Sequence, residues 1–352
     1  MEVHNLLKLY GLDEKDYTFE LFGNGLINST WLIKLNNSAD AYILQKINTN
    51  VFKQPENIAH NIRLIDYELK TKYPSYLFIA PLLTINKEDL VKNKNGCFRL
   101  VNFVKNSHTV DVLQNADQAY EASKQFGRFT KYLNYLDAGQ LKITIPDFHN
   151  LTLRFQQFSE AINIEENARK KHAQESIDYL LANENIAAIF ETIKQSNIPK
   201  RVIHHDTKIS NVLFDSQNKG LCVIDLDTVM AGYFISDVGD MLRTYLSPVT
   251  EEERDISKIV IRDDFFEAIV HGYLSEMKEI LSENELQYFV YAGKFMIYMQ
   301  ALRFLTDYLK NDIYYGSKYE GQNLVRAINQ IQLLKLYIEK EPAFNGLLDK
   351  YR

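Results

Sequence analysis

The stretch VIHHDTKISNVLFDSQNKGLCVIDLD, from Val202 to Asp227, holds the residues best suited to chemistry in this chain. Asp206 is followed after four intervening residues by Asn211, and Asp225 closes a later apolar run. A carboxylate within hydrogen-bond reach of a hydroxyl can take its proton, an effect worth about 10² to 10⁴ in rate. Magnesium prefers oxygen ligands and keeps several waters, so one carboxylate, one amide oxygen and substrate phosphates suffice to hold it. Asp206 as base, with Asn211 and Asp225 as metal ligands, is the set that phosphoryl transfer to a hydroxyl requires. Asp and Asn also serve as plain turn residues. That reading needs the whole pattern and its flanking apolar runs to recur by accident.

The local elements must hold these groups in place. VIHH and VLFD read as short strands around a polar loop, and GLCVIDLD as a third strand. Alternate residues of a strand share a face, so Asp225 and Asp227 are expected to face one cleft, with Asp227 supporting a second ion or the first. Upstream, Tyr17 to about Val104 is strand-rich, and ENIAHNIRLIDYELKTKY sets Ile58, Ile62, Ile65 and Leu69 at helical spacing. Beyond Asn106 long helices dominate, the clearest in DQAYEASKQFGRFTKYLNYL, where Tyr120, Phe126, Phe129 and Leu133 can line one face, with others at about 153–164, 172–195, 263–281, 283–310 and 323–339. The expected class is α+β, with a small β-rich lobe carrying one main helix (1–104) and a larger, mainly helical lobe (105–352).

Composition narrows the function classes. With 352 residues, 46% apolar and 24% charged, the chain can bury a sizeable core in two lobes. The formal net charge of −6, without a basic block, argues against a nucleic-acid partner. Cys97 and Cys222 stand far apart, outside any zinc or disulfide spacing, which suits a reducing cytoplasm. No apolar run has the length of a membrane span, and the first residues lack a signal-peptide pattern, so a soluble cytoplasmic protein without a membrane partner is expected.

HHDTKISN followed by VIDLDTVMAGYFISDVGD resembles the aminoglycoside phosphotransferase and choline kinase superfamily, whose members share the bilobal protein-kinase-like fold. Their loop commonly reads H-G-D-x-x-x-x-N. The resemblance sets His204 at the loop His, Asp206 at the base, Asn211 and Asp225 at the magnesium ligands and Asp237 at a later acidic position. His205 departs from the usual Gly. The segments FGNGLINSTWLI, YILQKINTNVF, PDFHNLTLRF and LRFLTDYLKNDIYY resemble a narrower branch, the N-acetylhexosamine 1-kinases, which phosphorylate the anomeric hydroxyl of N-acetylglucosamine or N-acetylgalactosamine.

The resemblance implies ATP and magnesium as cofactors. Gly23, Asn24 and Gly25 lie between expected strands, where glycine permits close backbone approach to phosphates and a plain hairpin is the alternative. Asn28 and Thr30 would add side-chain hydrogen bonds, and backbone groups near Asn102 and Val104 would receive adenine. In AYILQKI, Gln45 falls where protein kinases place a phosphate-binding Lys. Lys46 would point to the opposite strand face unless a bulge turns it inward. Glu56 and Glu68 are available on the helix as ion-pair partners, or as solvent-facing charges.

Three segments compete for the acceptor: PDFHNLTLRF with His149 and Arg154, GDMLRTYL with Arg243, and ALRFLTDYLKNDIYYG with Arg303 and Tyr314. Arginine can donate as a fork to sugar hydroxyls or phosphate. Arg303 and Asp307 also have the spacing of a surface ion pair. The expected substrate is a small neutral sugar, because DIYYGSKYEGQN is aromatic and polar, not densely acidic. An aminoglycoside, choline, ethanolamine or homoserine acceptor remains open, as does a nucleotide-binding pseudokinase. Oligomeric state is not legible in the chain.

Overall fold

β-Branched and aromatic residues favour strands, and five strands pair antiparallel in the order β1-β2-β3-β5-β4 in a computed structural model that describes residues 2–22, 28–163 and 168–352. They are β1 (Tyr17–Leu21), β2 (Ser29–Leu35), β3 (Ala41–Ile47), β4 (Val91–Asn93) and β5 (Gly96–Asn102). A short helix, α1 (Glu2–Lys8), packs Leu6 and Leu7 against Ile33, Leu44, Phe98 and Leu100 on one face. On the other face α2 (Pro55–Lys72) buries Ile58, Ile62, Ile65 and Leu69 in the same core as Ile47 and Cys97. Strand alternation therefore gives Gln45 and Arg99 the face of Ile47 and Cys97. The register Thr30↔Gln45↔Arg99 is regular. No bulge turns Lys46 inward: it lies beside Phe98, its Nζ 5.8 Å from the ring centroid.

The chain leaves this sheet at Asn102 and reaches β6 (Ser107–His108), which pairs with β8 (Val212–Asp215). The helical part begins with α3 (Ala116–Tyr132), capped by the Asn115 side chain, which accepts the Gln118 N–H. Then come α4 (Leu151–Ile162), α5 (Ala168–His172), α6 (Gln174–Ala182) and α7 (Asn185–Gln195). The strands β7 (Arg201–Ile203), β8, β9 (Gly220–Val223) and β10 (Met230–Gly232) form two small sheets, in the orders β10-β7 and β6-β8-β9. The remaining helices are α8 (Ile235–Tyr245), α9 (Asp263–Met277), α10 (Glu283–Leu286), α11 (Phe289–Leu309) and α12 (Gln322–Leu348). Helix α11 is buried along nearly its whole length and packs on α4, α8 and α12.

The α+β class is as expected: a β-sheet N-terminal region and a helical C-terminal region. Element ends differ more. The expected helix over 172–195 breaks at Asn183 and Glu184, and that over 283–310 divides into α10 and α11. GLCVIDLD is not strand throughout, since β9 stops at Val223. Asp225 has left-handed backbone angles (φ 59°, ψ 59°), and Leu226–Thr228 form a 3₁₀ turn. Left-handed backbone cannot continue strand pairing, so Asp225 and Asp227 do not face alike by strand alternation. No helix among the described residues is long and apolar enough to cross a membrane.

Candidate active site

The loop after β7 is built from its backbone outward. Asp237, on the first turn of α8, accepts the N–H of His204 at 2.8 Å through Oδ2 and that of His205 at 2.7 Å through Oδ1. One helical turn later, Asp240 accepts the Thr207 N–H at 2.8 Å, and the Tyr245 hydroxyl donates to the Thr207 carbonyl at 2.6 Å. Buried polar groups require such partners. Burial pushes the Asp237 carboxyl up to about 6, against the lowering effect of its two N–H donors. His204 donates from Nε2 to the Ile224 carbonyl at 2.9 Å, and its Nδ1 accepts the Asp206 N–H at 3.3 Å. A carbonyl only accepts, so the proton sits on Nε2.

His205 explains the usual glycine by its exception. Its φ is +66°, a region that costs a residue with a Cβ roughly 1–2 kcal/mol. The ring is buried beside His149, 5.4 Å between centroids. A Cβ on Gly232 would stand 2.5 Å from its Nε2, so Gly232 leaves the room that the ring fills. Burial, then the neighbouring His204, lowers the His205 pKa to about 3. Burial, then His205, Arg303, Arg243 and Arg154, holds His149 well below its ordinary value. Both rings are neutral at pH 7, and among the described residues the buried Nδ1 of each has no hydrogen-bond partner.

Asp206, Asn211 and Asp225 come together, with Asn211 bonded to the Asp206 backbone and the Asp206 charge felt at Asp225. Asn211 donates its Nδ2 to the Asp206 carbonyl at 2.9 Å, which leaves the amide Oδ1 as the available ligand atom. Its own carbonyl accepts the Ile224 N–H at 2.8 Å, so the loop and the segment carrying Asp225 are hydrogen-bonded together. Asp225 opens to the cleft yet lies deep among protein atoms. That surrounding, then the charges of Asp227 and Asp206, push its carboxyl up to about 7. A carboxylate crowded by like charges favours a cation. Asn211 and Asp225 thus fit a hard oxygen-seeking ion. Among the described residues no three His, Cys, Asp or Glu side chains form a metal cage, so such an ion would draw its other ligands from phosphate or water.

Two groups here were missed in the sequence. Lys208, two residues after Asp206, donates to its Oδ2 at 2.9 Å. Burial works against the Lys208 charge, but Asp206 and Asp225 more than offset it and raise its pKa. The second is Arg99. Its Nε donates to the Gln45 Oε1 at 2.9 Å, and its Nη1 lies 2.5 Å from the Asp227 Oδ1. Asn28 donates to the other Asp227 oxygen at 2.9 Å and accepts the Asn48 N–H. Both Asp227 oxygens are therefore engaged, and a metal contact there would displace one partner. A charged residue buried in mid-strand was the available signal for Arg99.

The other expected nucleotide residues divide. Gly23, Asn24 and Gly25 lie outside the described residues. Thr30 is the cross-strand neighbour of Gln45. Asn102 ends β5, and the Val104 carbonyl is taken by the Ser107 hydroxyl at 2.7 Å. Glu56 and Glu68 pair with Lys92 and Lys72, away from the cleft. Helix α2 instead reaches the turn after Asp225 through Asn61, which donates to the Val229 carbonyl at 2.9 Å.

On the acceptor side, Phe148 stacks on His149 at 4.4 Å, and the Arg303 guanidinium lies 5.8 Å from the Phe148 ring. Among the described residues Arg303 makes only long bonds, to Gln300 at 3.3 Å and to the Tyr314 hydroxyl at 3.4 Å. Asp307 is not its ion-pair partner: that carboxylate accepts the N–H groups of Tyr314 and Tyr315 and shapes their loop. Tyr314 is 68% exposed, at the mouth. Arg154 is spent on Gln157 and the Asp147 carbonyl, and Arg243 on Asp240 and Glu251.

The sequence profile of the phosphotransferase enzyme family matches residues 18–277. The fold is similar to that of a spectinomycin phosphotransferase crystallised with ADP and spectinomycin (14% identity, 98% of each chain covered, TM-score 0.60). It is also similar to an ethanolamine kinase from Plasmodium vivax (14% identity, 98% of this chain and 87% of that one, TM-score 0.59) and a choline kinase from Cryptosporidium parvum (13%, 99% of each, 0.57). The fold is thus the protein-kinase-like one, and with its central motifs inside the matched region the chain belongs to the phosphotransferase enzyme family.

Proposed function

We propose that this protein transfers the γ-phosphoryl group of ATP to a hydroxyl of a small neutral sugar, the anomeric hydroxyl of an N-acetylhexosamine being the acceptor of choice. The observation that carries the kinase reading is the convergence of Asp206, Asn211 and Asp225 on one cleft, with the loop backbone held by Asp237 and Asp240. Magnesium, when bound, neutralises phosphate charge; Asn211 Oδ1 and Asp225 are the groups that would hold it. Asp206 orients the acceptor hydroxyl and takes its proton. Lys208, fixed to Asp206, supplies positive charge where the transferred group passes.

The acceptor surroundings support a neutral sugar over a cationic amine. Asp240 and Glu251 are neutralised by Arg243 and Arg326, Asp312 by Arg169, and Asp307 by backbone N–H groups. The groups left without a strong ion pair on this side are Arg303, the exposed Tyr314 and Phe148 stacked on the buried His149, which suit hydroxyl and amide oxygens. Phosphorus NMR after incubation with magnesium ATP and, separately, N-acetylglucosamine, N-acetylgalactosamine, glucose, an aminoglycoside and choline tests the reading. A sugar 1-phosphate signal coupled to the anomeric proton is expected. Transfer to choline or the aminoglycoside would overturn the sugar assignment, and ATP binding without transfer would favour the pseudokinase.

A further inference from the structure

We infer that Arg99 is the cation that grips the nucleotide phosphates, in place of the third-strand lysine this chain lacks; the inference rests on the kinase reading of the cleft. The register places Arg99 directly beside Gln45, on the neighbouring strand and the same sheet face. The one lysine at hand on β3, Lys46, lies on the opposite face beside Phe98. Among the described residues no α2 carboxylate reaches Arg99: Glu56 pairs with Lys92, Asp66 with Arg63 and Lys70, and Glu68 with Lys72.

The Arg99 side chain is 4% exposed, and burying a guanidinium is costly unless its charge is used. Gln45 holds its Nε, which fixes the plane of the fork. Nη1 reaches Asp227, two residues beyond Asp225, so the head lies at the metal end of the cleft. Nη2 makes no hydrogen bond among the described residues. An arginine fork held at one edge and balanced by one carboxylate is suited to donate to phosphate oxygens at the other. Gln45 thus becomes the residue that aims the cation. A Lys at that position would compete with Arg99 for the same space.

The rival account is that Arg99 only neutralises Asp227. Calorimetric titration of the full chain with magnesium-free ADP and with adenosine, in wild type, Arg99→Met, Asp227→Asn and the double variant, separates the two. Arg99→Met is expected to weaken ADP by about ten- to a hundredfold, the range of a charged hydrogen bond, with adenosine unchanged. The double variant is expected to stay as weak for ADP. Recovery of ADP affinity in the double variant, equal losses for ADP and adenosine, or unchanged ADP affinity would each overturn the inference. Should Arg99→Met fail to fold, Gln45→Lys/Arg99→Gln moves the cation to the adjacent strand. ADP selectivity retained there supports the inference, and its loss with adenosine retained overturns it. Wild-type protein that binds neither ligand would instead remove the kinase reading and this inference with it.

Discussion

The Asp237 carboxylate accepts the backbone N–H of His205 from 32 residues away at 2.7 Å, and its second oxygen takes the N–H of the preceding residue. This one side chain closes the two backbone donors just before Asp206, in a segment whose left-handed turn is unfavourable for a residue with a side chain. Asp237→Ala leaves two buried donors unsatisfied and should cost about 2–4 kcal/mol of stability, read from urea unfolding. The loop would lose its setting as well, so kcat should fall more than nucleotide affinity does.

Asp206→Asn keeps the shape of the side chain and removes its basicity. Turnover should fall by about 10² to 10⁴, while calorimetry shows nucleotide binding retained. Normal turnover would take Asp206 out of the base role.

Arg303 is the acceptor-side guanidinium whose internal bonds, among the described residues, are all long. Arg303→Ala should raise the acceptor KM by roughly tenfold or more, the value of a charged hydrogen bond. The nucleotide constant should not move, and Arg303→Lys should restore little because a point charge cannot reproduce the fork. Equal effects on both substrates would place Arg303 in the scaffold.

The buried, neutral His205 makes stability depend on pH. The unfolded chain takes a proton on this ring near its ordinary 6.5, whereas the folded protein does so only at about 3. Its contribution is complete above pH 6.5 and is lost as pH falls through that window, by at most about 1.4 kcal/mol per pH unit. Asp237, raised to about 6, acts with the opposite sign below pH 6, so the comparison must be between variants. His205→Gly suits the left-handed backbone and removes the ring. Urea midpoints between about pH 7 and pH 5 should fall less steeply in that variant than in wild type.

Asp206, Asn211 and Asp225 were legible in the chain because they sit in one strand–loop–strand unit, where spacing along the sequence sets spacing in space. The β3 run AYILQKI and the α2 periodicity were legible for the same local reason. The strand drawn through Asp225 and Asp227 was not, since a single left-handed residue overrides an apolar pattern. Nor was the replacement for the missing lysine. Arg99 meets Gln45 from 54 residues away through sheet register, and meets Asp227 only because the sheet docks on the helical lobe. Residue types and their local order determine the chemistry this chain can attempt. Long-range packing determines which charge reaches the cleft, because burial decides whether a guanidinium or carboxylate must find a partner and docking decides which partner it meets.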